Sequence, residues 1–175
     1  RDKDYFRLKT NRNQDLITAA EQEKVANFRV AVFGMSVGST AVEAAFRAGI
    51  ASGPGGLTVI VDSKAIKPSN LGRIGTGRHD IGVPKVVSLA RRLSGLDPYA
   101  EIVQISKDFD RDMLEELGSL DIHAIVEEMD HLQSKVLARE WAMDDELPLI
   151  MGADLLDASA ISVERYDLNT PDGKP

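Results

Sequence analysis

From residue 28 onward the chain alternates two apolar patterns. Short runs rich in β-branched residues, such as Val30-Ala-Val-Phe33 and Leu57-Thr-Val-Ile-Val61, read as buried strands. Longer stretches with apolar residues three and four apart read as amphipathic helices. Over residues 84–96 the buried face is Val86, Val87, Leu89, Ala90 and Leu93. The pattern predicts strands at 28–33, 56–62, 101–106, 121–128 and 147–151. Helices are predicted at 40–49, 84–96, 111–117 and 131–145, with Leu137 and Trp141 in the core. Residues 161–166 alternate less cleanly and are free to leave the sheet. This succession defines a doubly wound α/β domain with a mostly parallel, Rossmann-like sheet and helices on both faces. The organisation expected is an arm with a short helix at 1–27, the α/β domain at 28–167 and a tail at 168–175 leading into a further C-terminal region.

The arm is polar and irregular at its start. Thr18 and Glu21 have capping-box spacing, which places a helix at Ala19–Ala26. Arg12, in Asn11-Arg12-Asn13-Gln14, is either a solvated arm residue or an arginine that reaches a nucleotide in a partner subunit.

Composition narrows the function classes. A net charge of -7 argues against general affinity for nucleic acid or an anionic membrane surface. There is no cysteine, so disulfides, a thiolate nucleophile and a cysteine-held zinc are excluded. No apolar run approaches the roughly 18 residues of a membrane span, and there is no signal-peptide pattern, so a cytoplasmic location is expected.

The chemistry begins at Phe33-Gly34-Met-Ser36-Val-Gly38-Ser39, where a strand runs through glycines onto a helix. Such a junction offers bare backbone N–H groups and a positive dipole end, which suits phosphate. The next strand ends in Asp62, placed to accept from a ribose hydroxyl. Gly34-x-Ser36-x-Gly38 also fits a hydrolase nucleophile elbow. That elbow follows several strands, whereas fewer than 30 residues precede this one, and His79, His123 and His131 supply no obvious base. Ser36 is thus read as a small residue that lets phosphate approach. His123, inside an apolar run, is read as structural.

After Asp62 comes a polar, cation-rich excursion. It carries Asn70, Arg73, Arg78 and Lys85, with no acid between Asp62 and Asp80. Cations around a phosphate chain suit a reaction that cleaves between phosphates, because charge shifts onto the leaving pyrophosphate. Of the adjacent Glu127 and Glu128, strand alternation lets only one face the crevice. Asp130, beyond the strand end, is a candidate magnesium-side carboxylate or a helix N-cap.

The order of glycine turn, Val61-Asp62, Ser69-Asn70-Leu71-x-Arg73, Gly82-x-Pro84-Lys85 and Asp130 resembles the ThiF/MoeB group of ubiquitin-activating-enzyme-like adenylyltransferases. The likeness runs from about residue 11 to 151. It implies that Asp62 binds the ATP ribose, that Asn70, Arg73 and Lys85 hold the phosphates, and that Asp130 helps hold Mg2+. It further implies a homodimer in which Arg12 enters the partner's ATP site. The implied partner is a small ubiquitin-like or sulfur-carrier protein whose C-terminal carboxylate becomes an acyl-adenylate.

Several departures stand out. The turn is a residue shorter than the family's and lacks its middle glycine, and Gly72 replaces an asparagine. Asp130-His131 replaces Asp-Asn, and the paired zinc cysteines and acceptor cysteine of many members are absent. The details Gly34-x-Ser36-Val-Gly38, Glu127-Glu128-x-Asp130 and Val163-Glu164-Arg165-Tyr166-Asp167 look more like a divergent subgroup fused to a nitroreductase-like domain. Two other readings stay open. One is a NAD(P)- or FAD-binding redox-associated module, since Asp62 serves an NAD ribose equally well. The other is a catalytically inactive nucleotide-binding or dimerisation module.

Overall fold

The computed structural model describes residues 3–155 and 160–166. The expected tail at 168–175 and Asp167 lie outside the described residues.

Six strands form one sheet: β1 Arg29–Phe33, β2 Leu57–Val61, β3 Ile102–Ile105, β4 Ala124–Glu127, β5 Leu149–Leu155 and β6 Ala160–Tyr166. Their order is β3-β2-β1-β4-β5-β6. All pairs from β3 to β5 are parallel, and β6 runs antiparallel to β5. Residues 161–166 therefore stay in the sheet. Their weak alternation fits an edge position, where Val163 is exposed and one face needs little burial.

Helices cover both faces, as expected of parallel strands. On one side Val32 and Ile60 pack with Val42 and Phe46 of α3 (Val37–Arg47) and Val86, Leu89 and Leu93 of α4 (Lys85–Leu96). On the other, Phe33, Val59 and Ile125 pack with Met113 and Leu117 of α5 (Arg111–Gly118) and Ala138 and Trp141 of α6 (Leu132–Asp144). Phe33 centres this second core, with its ring 4.4 Å from Phe109 and 6.2 Å from Trp141. Trp141 is thus core, with Leu137 packed beside it. Each such side chain, fully buried, contributes about 1.5–3 kcal/mol.

Three expectations change at the edges of elements, the first being that β5 runs on to Leu155, four residues past its predicted end at 151. α3 starts at Val37, three residues before the predicted start, so it opens directly out of the glycine turn. β4 starts at Ala124, which leaves His123 outside the strand, edge-on to Phe28 with its Nε2 3.6 Å from Asp121.

The arm needs the larger correction. α2 is Ala19–Ala26 with the Thr18–Glu21 capping box in place, as read from the sequence. Residues 3–10, however, form a helix, α1 (Lys3–Thr10), followed by a 3-10 turn at Asn11–Asp15. Polar contacts hold it to its own domain. Lys9 Nζ pairs with Asp97 at 2.7 Å, hydrogen-bonds Ser52 Oγ at 3.1 Å and lies over the Phe46 ring. Tyr5 Oη donates to the Leu96 carbonyl. Asp97 is 88 residues from Lys9, so no local pattern reveals the anchor.

Candidate functional site

The crevice lies where strand order reverses, between the carboxyl ends of β1 and β4. Ligands of open α/β sheets bind at such a switch point. Its volume is about 350 Å3, within the usual range for small-molecule sites.

β1 delivers the chain into Gly34, which has a φ of +90°. A Cβ there would overlap the Glu128 carbonyl oxygen, so both conformation and space require glycine. Ser36 stands at the N-cap of α3 but makes no side-chain cap hydrogen bond. Ser36 lines the crevice, so the N-terminus of α3 borders it without a hydroxyl cap from that residue, and the dipole favours an anion there. Gly38 is buried in that first turn, with Glu128 Cβ 3.5 Å from where its own Cβ would stand.

Asp62 follows β2 and is held by the backbone. Its Oδ2 accepts from Met35 N–H at 2.8 Å and its Oδ1 from Lys64 N–H at 2.7 Å. Lys85 Nζ lies 3.1 Å from Oδ2, an ion pair with both side chains over nine-tenths buried. The two residues assigned to ribose and phosphate are therefore paired with each other.

The excursion from 63 to 84 is stitched closed at its base. Ile66 N–H bonds the Val83 carbonyl at 2.8 Å, Gly82 N–H bonds that of Ile66 at 2.9 Å, and Lys85 N–H bonds that of Lys64 at 3.0 Å. Within it, Asn70 is buried, and its side chain accepts from Lys67 N–H to fix a 3-10 turn. Asp80 is buried and accepts from Thr76 and Ser88 hydroxyls, which hold its carboxyl below the usual carboxylate range against the effect of burial. Arg73 and Arg78 are exposed.

β4 ends in the two glutamates, and alternation separates them as expected. Glu128 lines the crevice. Glu127 is fully buried on the α6 side, 2.7 Å from Lys135 Nζ, and accepts from the Met129 N–H. Burial pushes its carboxyl up, against the pull of Lys135. Lys135 also donates to the Gly152 carbonyl at 2.7 Å, tying α6, β4 and β5 together. Asp130 stands at the crevice, 87% exposed, with Lys64 Nζ 3.8 Å away. It does not cap α6, because the N-cap is His131.

Gly34, Ser36, Asp62, Lys85 and Asp130 thus converge on one crevice, whereas Arg12, Gly38, Asn70 and Arg73 are not among its lining residues. Lys64, Lys107 and Asp108 do line it, and the sequence reading assigned them no role. Lys107 and Asp108 follow the carboxyl end of β3, so the rule that ligands sit beyond strand ends was the available signal. Asp108 accepts from the Ser63 hydroxyl, joining the β2 and β3 ends. Among the described residues, no group of three or more His, Asp or Glu side chains is placed to hold a metal. A single exposed carboxylate beside a polyphosphate still fits Mg2+, which keeps its waters and takes one or two carboxylates. Among the same residues, no helix is long and apolar enough to cross a membrane.

The strand order and the helices on both faces define a Rossmann-like α/β domain with a crevice at its switch point. The chain belongs to the ThiF family, whose pattern matches residues 8–162. It is 34% identical over 169 residues to Uncharacterized protein MT1398 of Mycobacterium tuberculosis, covering 96% of this chain and 22% of that protein. The chain therefore spans about a fifth of that relative's length. Among solved structures it resembles E. coli tRNA N6-threonylcarbamoyladenosine dehydratase, TcdA. There the TM-score is 0.78 at 21% identity, over 86% of this chain and 62% of that one. The TcdA complex with ATP gives 0.77 at 20% identity, over 85% and 60%.

Proposed function

We propose that this domain binds ATP with Mg2+ and activates a carboxylate as an acyl-adenylate. In the proposed step a carboxylate oxygen attacks the α-phosphorus, and the bond to the bridging oxygen breaks to release pyrophosphate. The observation that carries the reading is the convergence of the uncapped α3 N-terminus, Asp62, Lys85 and Asp130 on one crevice. Membership of the ThiF family and likeness to a protein crystallised with ATP support it.

Asp62 would accept from the ribose, and the glycine turn and Lys85 would hold phosphate. Arg73, exposed on the excursion, would turn toward the leaving pyrophosphate, and Asn70 would hold the turn that carries it. Asp130 would hold Mg2+, which neutralises phosphate charge. The chain supplies positioning and charge stabilisation and no covalent intermediate of its own.

The carboxylate proposed is the C-terminus of a small ubiquitin-like or sulfur-carrier protein. The assembly is a homodimer, each site completed by Arg12 of the partner subunit, in a cytoplasmic protein that continues into a nitroreductase-like domain. A NAD-binding module is the second reading, since the strand order and Asp62 suit a dinucleotide as well.

Calorimetric titration separates the two, with ATP–Mg2+ expected to bind more tightly than NAD or NADP. ATP–pyrophosphate exchange then tests the reaction. Arg73→Ala and Lys85→Ala should lower exchange far more than ATP binding, because leaving-group charge develops in the transition state. Equal loss of both would overturn these roles. Mixing inactive Arg12→Ala and Lys85→Ala chains should restore part of the activity if Arg12 crosses over. No recovery would place it in its own chain.

A further inference from the structure

We infer that Asp62 and Lys85 form a latch that polyphosphate opens, so that the ribose is fully recognised only when the ligand carries its phosphates. This rests on the nucleotide reading above and adds a coupling between its two halves.

The basis is a count of acceptor positions. A carboxylate offers about four, two on each oxygen. Oδ2 of Asp62 is filled by Met35 N–H at 2.8 Å and Lys85 Nζ at 3.1 Å. Oδ1 accepts from Lys64 N–H at 2.7 Å and has one position left. A ribose presents two neighbouring hydroxyls. One takes the free position, and the second needs the place that Lys85 occupies.

Lys85 cannot leave for nothing. Its side chain is 9% exposed and that of Asp62 is 8% exposed, so parting them strands two poorly solvated charges. A second anion changes the balance. The N-terminus of α3 and Ser36 border the same crevice as Lys85, and a polyphosphate there gives the ammonium a new partner. The backbone of Lys85 stays fixed by its N–H bond to Lys64 and the bridge between Ala65 and Pro84, so only the side chain moves. A nucleoside alone leaves the latch shut, and a nucleoside triphosphate both opens it and gains the second ribose contact.

The unmodified chain tests this directly by titration with adenosine, 2′-deoxyadenosine, ATP and 2′-deoxy-ATP, all with Mg2+. Adenosine and its 2′-deoxy form should bind within about twofold of each other, since either fills the one free acceptor. ATP should exceed 2′-deoxy-ATP by about fivefold, the equivalent of one net hydrogen bond. In Lys85→Met the latch is absent. Adenosine should then bind about fivefold more tightly than to the unmodified chain, while ATP binds more weakly. A 2′-hydroxyl preference that is the same with and without phosphates overturns the latch, as does adenosine binding no tighter to Lys85→Met. The first comparison needs no substitution and decides the matter if Lys85→Met does not fold. Failure of ATP to bind the unmodified chain would instead sink the nucleotide reading, and the latch with it.

Discussion

The floor of the crevice and the excursion that follows Asp62 are built on opposite principles. The floor sets the Gly34 backbone against that of Glu128 and the Glu128 carboxylate against Gly152, with the buried Glu127–Lys135 pair behind. The excursion is fixed at its base by backbone bonds and inside by Asn70 and Asp80, yet holds Arg73 and Arg78 in solvent. A floor of that kind suits a part that must not move while a phosphate chain is held. An excursion of that kind suits a part that closes on a ligand, its fold already fixed and its cations free to turn. The same substitution should therefore have very different consequences in the two places.

The largest effect is expected at the ion pair of the floor. Lys135→Met leaves Glu127 buried without its cation and cuts the tie to the Gly152 carbonyl. Breaking a buried pair from one side costs about 3–5 kcal/mol, and urea unfolding should read a loss of that order. The loss should also depend on pH. The Glu127 carboxyl is raised in the folded state, so the folded chain binds more protons than the unfolded one above the ordinary carboxylate range. Its contribution is most favourable below that range and declines as pH rises through the folded value. Removing Lys135 raises the carboxyl further. Lys135→Met should thus be more destabilised at pH 8 than at pH 5, and a flat or reversed profile would show that Glu127 does not titrate as its burial requires.

Gly34→Ala comes next. A positive φ and overlap with the Glu128 carbonyl add, for a loss of about 2–5 kcal/mol. ATP binding should fall with it, because relief of the overlap must move either the turn or the end of β4. A variant of normal stability and normal ATP affinity would mean that the floor yields easily and that the contrast with the excursion is false.

How much of this was legible in the sequence follows the same divide. The floor and its sheet were readable because they rest on local signals: β-branched runs, a glycine turn and alternation at Glu127-Glu128. Alternation allowed only one glutamate to face the crevice, and Lys135, eight residues on, holds Glu127 on the other side. The excursion was readable as chemistry but not as geometry. Asn70 reads as a polar ligand group, yet its side chain is committed to Lys67 N–H. α1 has no local signature because its anchors are Asp97 and Leu96, about 90 residues away. The Asp62–Lys85 pair has no local signature either, since 23 residues separate partners that the chain brings back together.

The smallest effect should come from Gly72→Ala, which sharpens the contrast with Gly34 because the chemical change is identical. Gly72 lies beside Arg73, with no heavy atom within 4 Å of where a Cβ would stand. Its backbone lies outside the positive-φ region that glycine alone favours. Alanine there meets neither clash nor strain, and exposed sites of this kind stay within about 0.5 kcal/mol. A slight gain is the expected direction, because alanine narrows the unfolded ensemble where the folded conformation tolerates it. Urea unfolding of Gly34→Ala and Gly72→Ala under one condition gives the comparison. ATP–pyrophosphate exchange adds a second reading, since Gly72→Ala leaves every side chain of the excursion in place and should keep the unmodified rate. A loss at Gly72 close to that at Gly34 would mean that the excursion is as tightly specified as the floor. Its exposed arginines would then have no closing movement to make.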